Sequence, residues 1–279
     1  MDFPTPEAQQ RYDELVTVAP ETLVGLDFDG TLSPIVPDPA DAVIHPDGPD
    51  MLVTLASQVR AVAVITGRPA TQVVTLGRLE EVADRLPEGA LVEVLGQYGN
   101  ERWDSLTRAF TTREVPPGLA AFRAELPHLL AAENAAGAFV EEKGLAVAVH
   151  TRRLPDAKEA FARLQEALAD AAERHGLALE PGRLVLEVRA PGMHKGLALR
   201  TAVAETDAGG VAFIGDDLGD LEAFEAARAL REQGLPALLV CSGSDEEEAL
   251  VDISDLVVDG PTGVLDLLRR FAADAARGR

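Results

Sequence analysis

Four runs of this chain are apolar at every position: Leu23-Val-Gly-Leu26, Ala61-Val-Ala-Val-Ile65, Val211-Ala-Phe-Ile214 and Ala237-Leu-Leu-Val-Cys241. Successive side chains of a strand point to opposite faces, so a strand apolar throughout is buried on both. Helical segments separate the runs, and strands alternating with helices predict a parallel α/β sheet covered on both sides. Three of the runs stop abruptly at polar residues: Asp27-Phe-Asp29-Gly-Thr31 after the first, Thr66 after the second, and Asp216-Asp217-Leu-Gly-Asp220 after the third. In such a sheet ligands sit beyond the carboxyl ends of the strands, so these residues are expected on one rim.

Asp27 and Asp29 sit on alternate residues, then Gly30 breaks the strand into a loop. Close carboxylates repel, and burying them without a cation costs several kcal/mol or shifts a pKa. A hard divalent ion resolves the conflict: Mg2+ takes one or two carboxylates and completes its shell with water and phosphate oxygens. Taken singly, each residue has a plainer role: Thr66 and Asp216 as helix N-caps, Lys195 as a surface cation. Together, at three strand ends and one helix start, they call for a metal and an anionic ligand.

Composition narrows the ligand. A formal net charge of -22 over 279 residues disfavours nucleic acid and anionic membranes, both of which reward basic patches. A phosphate ester would then need local positive charge. Lysine occurs only at positions 143, 158 and 195, and arginine supplies the remaining basic residues. The single cysteine, Cys241, ends an apolar run and reads as a buried thiol in a reducing compartment. With no basic leader or long apolar segment, the expectation is a cytoplasmic protein with no obligate protein partner evident.

In order, the spacing predicts a lead-in helix over 7–18, strand 22–28, a helix through Val59, strand 61–65, a helix to Leu76 and strand 91–95. The pattern changes after Trp103. A helix over 117–132, a hairpin of 138–142 and 145–150, a helix over 156–175 and strands 177–179 and 184–188 make an αββαββ block with an antiparallel sheet. This block, set at 105–190, is expected as an α+β cap domain inserted into a core of residues 1–104 and 191–279. The α/β rhythm then resumes with helix 197–205, strand 211–215, a helix to Leu230 and strand 237–241. Helix 245–251, capped by Ser244 and Glu247, strand 256–258 and helix 264–275 finish the chain.

The set Asp27-x-Asp29-Gly-Thr31, Thr66, Lys195 and Gly215-Asp216-Asp217-x-x-Asp220 resembles the four motifs of the haloacid-dehalogenase-type phosphatase superfamily. The resemblance implies a Rossmann-like core, with Asp27 as the nucleophile forming an aspartyl-phosphate and Asp29 as the acid and then the base. Thr66, Lys195 and the amides near Gly30 would bind phosphoryl oxygens. Asp27, Asp29 (through its carbonyl), Asp216, Asp217 and Asp220 would serve the Mg2+, the last two through water or by orienting neighbours. The insert then has the form of a lid that sets the substrate.

A narrower likeness runs through core and insert alike. Leu26-Asp-Phe-Asp-Gly-Thr-Leu-Ser-Pro34, Ile65-Thr-Gly-Arg68, Gly96-x-x-Gly99-x-Glu101, Val140-Glu141-Glu-Lys143-Gly with His150-x-Arg152, and Gly182-Arg183-(x)3-Glu187-Val-Arg resemble the trehalose-6-phosphate phosphatase family. That likeness implies a small-molecule sugar phosphate as substrate, gripped by Arg68, Glu141, Lys143, Arg183 and Glu187. A disaccharide carries many hydroxyls and no charge beyond its phosphate, which suits carboxylates and cations in paired hydrogen bonding. Two departures stand out: Gly219 where relatives commonly carry Thr, which would loosen the loop placing Asp220, and Tyr98 where His is frequent. Phosphatases of the same superfamily acting on sucrose 6-phosphate or mannosyl-3-phosphoglycerate compete within the class. A phospho-accepting regulatory domain competes from outside it, but needs neither an acid at Asp29 nor a lid.

Overall fold

A computed structural model of the chain describes residues 3–182, 184–243 and 248–278. The chain divides into two units, residues 1–112 with 194–279, and residues 113–193. The first opens with helix α1 (Pro6–Thr17), whose N-terminus is closed by the Thr5 hydroxyl accepting the Ala8 N–H. Strand β1 (Thr22–Leu26), helix α2 (Gly48–Ala56), β2 (Ala61–Ile65), α3 (Ala70–Leu76), α4 (Leu79–Ala83) and β3 (Val92–Gly96) follow. Then come β4 (Glu101–Asp104) and β5 (Phe110–Thr112). After the second unit the first resumes with α7 (Lys195–Thr206), β10 (Gly210–Gly215), α8 (Leu221–Glu232), β11 (Ala237–Gly243), α9 (Glu248–Val251), β12 (Leu256–Asp259) and α10 (Gly260–Arg277).

The eight strands form one sheet in the order β12-β11-β10-β1-β2-β3-β4-β5, parallel except at β4 and β5. Strand alternation sends Val24, Leu26, Val62 and Val64 into one core with α1, α2 and α10, and Leu23, Ala61, Ala63 and Ile65 into another with α7 and α8. That division explains why the runs are apolar at every position. β1 lies between β10 and β2, with Leu26 paired to Ile214 on one side and Val64 on the other. The chain therefore leaves β1 at Asp27 on the level where β2 runs toward Thr66 and β10 toward Asp216.

The insert limits expected at 105 and 190 move to 113 and 193. Residues 105–112 stay with the first unit because β5 pairs antiparallel with β4, Trp103 opposite Phe110. Both strands, and α4, were absent from the sequence expectation. β5 is three residues long and exposed throughout, so it carries no alternation to read. The Ser244 and Glu247 cap lies outside the described residues.

The second unit holds α5 (Leu119–Ala132), β6 (Phe139–Glu142), β7 (Ala146–His150), α6 (Ala157–Arg174), β8 (Ala178–Gly182) and β9 (Val185–Arg189), the αββαββ order expected. Its strands run antiparallel in the order β6-β7-β9-β8. Val147, Val149, Leu186 and Val188 meet Phe122, Leu126, Leu164 and Leu168 from the two helices on one face. The pleat then sends Glu141, Ala148, Glu187 and Glu180, which form one rung across the strands, to the other face.

Candidate active site

The loop after β1 turns tightly. Asp27 N–H donates to the Ile214 carbonyl at 2.9 Å, and the N–H groups of Leu32 and Ser33 both donate to the Phe28 carbonyl. Gly30 takes a left-handed φ of +68°, and any Cβ there would overlap the Asp216 carboxylate. Only glycine lets the loop pass so close to the end of β10.

Lys195 opens α7 and is buried. Its Nζ lies 2.7 Å from Asp27 Oδ1 and 2.7 Å from Asp220 Oδ1. One carboxylate oxygen from each of Asp27, Asp216 and Asp220 falls within 4.8 Å of the others, all three residues being buried. Burial, with Asp220, Asp216 and Asp217 adding to it, holds the Asp27 carboxyl well above its ordinary range against the opposing pull of Lys195. Burial and the charges of Asp217 and Asp220 likewise push Asp216 up to about 8. Lys195 moves upward too: burial pulls it down, but Asp220 and Asp27 outweigh that. A cluster so reluctant to ionise fits a hard cation, which would replace protons as the counter-charge on an all-oxygen donor set.

The three aspartates are not equivalent. Asp220 Oδ1 takes Lys195, while Oδ2 accepts from the N–H of Asp216 at 3.0 Å and of Asp217 at 3.3 Å. Both of its oxygens thus take part in holding the loop. Asp217 faces solvent; its Oδ1 accepts from Gly219 N–H at 2.9 Å and it forms a reciprocal cap with Asp220. The glycine at 219 therefore does not unseat Asp220, because the cap does the positioning.

Asp29 lies outside the cluster of three. Arg68 grips it with two parallel bonds, Nε to Oδ2 and Nη2 to Oδ1, both 2.6 Å, while Arg68 Nη1 donates to the Pro39 carbonyl. Thr66 is buried at the end of β2, and its hydroxyl oxygen accepts the Arg68 N–H at 3.1 Å. Its proton is thus left to be donated elsewhere. The neighbouring loop is shaped by Gln97 and Tyr98, both left-handed at φ 45° and 59°, and Tyr98 N–H donates to the Thr66 carbonyl. Glu101, singled out only as part of a motif, accepts the Ala70 N–H and so closes the start of α3. Cys241 is buried next to Gly215 in the sheet, its thiol pushed up to about 11 by burial first and by Asp216 and Asp220 second.

In the second unit Glu141 pairs with His150 Nε2 at 2.9 Å, and Lys143 Nζ with Glu187 at 2.6 Å. Burial pushes Glu187 upward, but Lys143 and Arg189 together hold it below its ordinary range. Arg189, which sequence reasoning quoted without a role, donates to Glu187 at 3.0 Å. Its spacing of two from Glu187 on one strand was the signal, since that spacing puts both on one face. Arg183 lies outside the described residues.

Among the described residues no helix is long and apolar enough to cross a membrane. The sequence profile of the trehalose-phosphatase family matches residues 25–83 and 129–255. A Mycobacterium tuberculosis protein named as an uncharacterized glycosyl hydrolase is 34% identical over 233 residues, covering 80% of this chain, which spans only 17% of that protein's length. The Escherichia coli trehalose-6-phosphate phosphatase is 30% identical over 210 residues, 73% of each chain. Among solved structures, the C-terminal domain of the Candida albicans trehalose-6-phosphate phosphatase superposes with a TM-score of 0.73 at 20% identity over 98% of both chains. The profile takes in the aspartates that follow β1, Lys195 and the acidic loop after β10, which build the cluster described above, and separately Thr66 and the hairpin of the second unit. This chain belongs to the trehalose-phosphatase family.

Proposed function

We propose that this protein hydrolyses trehalose 6-phosphate to trehalose and inorganic phosphate. The observation that carries the reading is the buried group of Asp27, Lys195, Asp216 and Asp220, where one carboxylate is held beside a lysine and short of counter-charge. An Asp27 oxygen attacks phosphorus, the bond from phosphorus to the sugar oxygen breaks, and that oxygen takes a proton from Asp29. Asp29 then takes a proton from water, whose oxygen attacks phosphorus, and the bond to Asp27 breaks to release phosphate. Arg68 orients Asp29 with one bond to each carboxylate oxygen, and each oxygen keeps a lone pair for the proton it gives or takes. Arg68 thus serves Asp29 in addition to the sugar-binding role that the family likeness implies for it.

Lys195, the Thr66 hydroxyl and the N–H groups around Gly30 bind the phosphoryl oxygens and stabilise charge that spreads over them in transfer. Asp27 and Asp216, with Asp220 and Asp217 as supports, would hold a Mg2+ ion, which would supply positive charge to the phosphoryl group. Glu141, Lys143, Arg183 and Glu187 take the sugar hydroxyls. His150 and Arg189 orient that set through Glu141 and Glu187.

The test is phosphate release with Mg2+ from trehalose 6-phosphate, sucrose 6-phosphate, glucose 6-phosphate and mannosyl-3-phosphoglycerate. The highest kcat/KM is expected on trehalose 6-phosphate. Preference for a monosaccharide phosphate would overturn the substrate while keeping the chemistry. Release from none of the four would overturn both.

A further inference from the structure

Ser242 lies near the end of β11, one residue past Cys241, which pairs with Gly215. It therefore stands beside Asp216 in the sheet and belongs to none of the motifs read from the sequence. It is fully buried, and its hydroxyl donates to the Gly30 carbonyl at 2.6 Å. A buried serine reaching from β11 to the loop of β1 ties the two sides of the candidate site together across the end of β10.

The peptide from Gly30 to Thr31 is planar and trans, so its carbonyl and its N–H point in opposite directions. Fixing the carbonyl on Ser242 fixes where the Thr31 N–H aims. That N–H finds no acceptor among the described residues, and the Thr31 hydroxyl, fully buried, has no hydrogen-bond partner among them either. Two donors on one buried residue, both unspent, next to the Asp27 loop, point to an anionic group that arrives from solution. Gly30 cannot hold this conformation by sterics alone, because glycine is the residue with the widest backbone freedom. Something else has to select it, and the Ser242 hydroxyl is placed to do so.

We infer that Ser242 is a positioning residue: by holding the Gly30 carbonyl it aims the Thr31 N–H and hydroxyl at the oxygens of the transferring phosphoryl group. The inference rests on the phosphatase reading above. It is independent of the sugar, because Gly30 and Thr31 belong to the loop that carries the nucleophile and Ser242 acts on that loop from β11.

Ser242→Ala tests it, with Ser242→Thr as the variant that keeps the hydroxyl. Donors aimed where charge gathers during transfer act on kcat more than on KM. Ser242→Ala is expected to lower kcat about tenfold with KM changed by less than about twofold, equally on trehalose 6-phosphate and on 4-nitrophenyl phosphate. Inhibition by orthovanadate, which mimics the five-coordinate phosphorus, should weaken by about the same factor. Ser242→Thr should recover most of both, and Ser242→Cys, with a weaker donor, should fall between if the alanine variant does not fold. Thermal unfolding is followed alongside. A lowered Tm with kcat and vanadate inhibition unchanged would make Ser242 merely structural and overturn the inference. A loss confined to trehalose 6-phosphate would overturn it as well, placing the effect on the sugar. Failure of the wild-type protein to turn over either ester would instead overturn the phosphatase reading on which the inference stands.

Discussion

Lys195→Met is the perturbation whose size follows most directly from the site. The lysine is the cation 2.7 Å from both Asp27 and Asp220, and the three side chains are 6%, 6% and 0% exposed. Removing one partner of a buried ion pair costs about 3–5 kcal/mol, because the remaining charge is left in a poor dielectric without compensation. Here one deletion takes the lysine from two carboxyls whose burial already favours the protonated form, so proton uptake meets part of the cost and the lower part of that range applies. Methionine keeps the length of the stem, which separates the charge effect from cavity formation. In chelator, chemical unfolding of the first unit should lose about 3 kcal/mol, and its Tm should fall by about 10 °C for a domain of this size. Mg2+ at about 100 times its dissociation constant should restore about 2–3 kcal/mol, since the ion binds the folded carboxylates and not the unfolded chain. Phosphate release should be lost even in the stabilised, metal-loaded protein. Unchanged stability in chelator would refute the reasoning, for it would mean that Asp27 and Asp220 are not ionised around the lysine. Full stability without any response to Mg2+ would refute the shared-counter-charge account.

Glu93 gives a pH-dependent test away from the chemistry. It is buried on β3 opposite Asp104, one carboxyl oxygen has no partner, and burial pushes it from 4.5 up to about 7 despite Arg102. A raised carboxyl binds its proton more tightly in the folded chain, so its stability is fully present below pH 4.5 and is lost as pH rises through about 7. At about 1.4 kcal/mol per pH unit the loss is at most about 3.5 kcal/mol. Glu93→Gln should flatten that slope and be the more stable protein at pH 8.5 by denaturant unfolding, and identical slopes would refute the assignment. Arg68→Ala should lower kcat about tenfold with little change in KM, because Asp29 then loses the two bonds that orient it. A raised KM with unchanged kcat would leave Arg68 to the substrate alone, the role sequence reasoning implied for it.

The parallel core was legible because β1, β2, β10 and β11 each carry a run that is apolar at every position. Strands β4 and β5 were not, since the first reads Glu-Arg-Trp-Asp and the second is a short exposed edge, neither carrying a periodic signal. The residues that end β1, β2 and β10 were legible as a set because carboxylates at the tips of core strands cost too much to be accidental. Their division of labour was not. That Asp220 spends its oxygens on Lys195 and two amides, and that Asp29 is clasped by Arg68, depends on side-chain directions which spacing does not encode. Ser242 was invisible for a related reason: it follows an apolar run as any strand-ending serine might, and its partner lies 212 positions earlier. Arg189 stood in a motif, and its spacing of two from Glu187 puts both on one face of β9, but the bond between them depends on side-chain directions.

The central claim is that Asp27 takes the phosphoryl group before water does. Rapid acid quench of the metal-loaded protein with trehalose 6-phosphate labelled at phosphorus tests it most directly. The account predicts a labelled protein that forms within one turnover, is released by hydroxylamine as an acyl phosphate must be, and maps by peptide analysis to Asp27. The label should be absent from Asp27→Asn and should accumulate in Asp29→Asn, where the base for the second step is missing. Label on another residue, or undiminished turnover by Asp27→Asn, would contradict it.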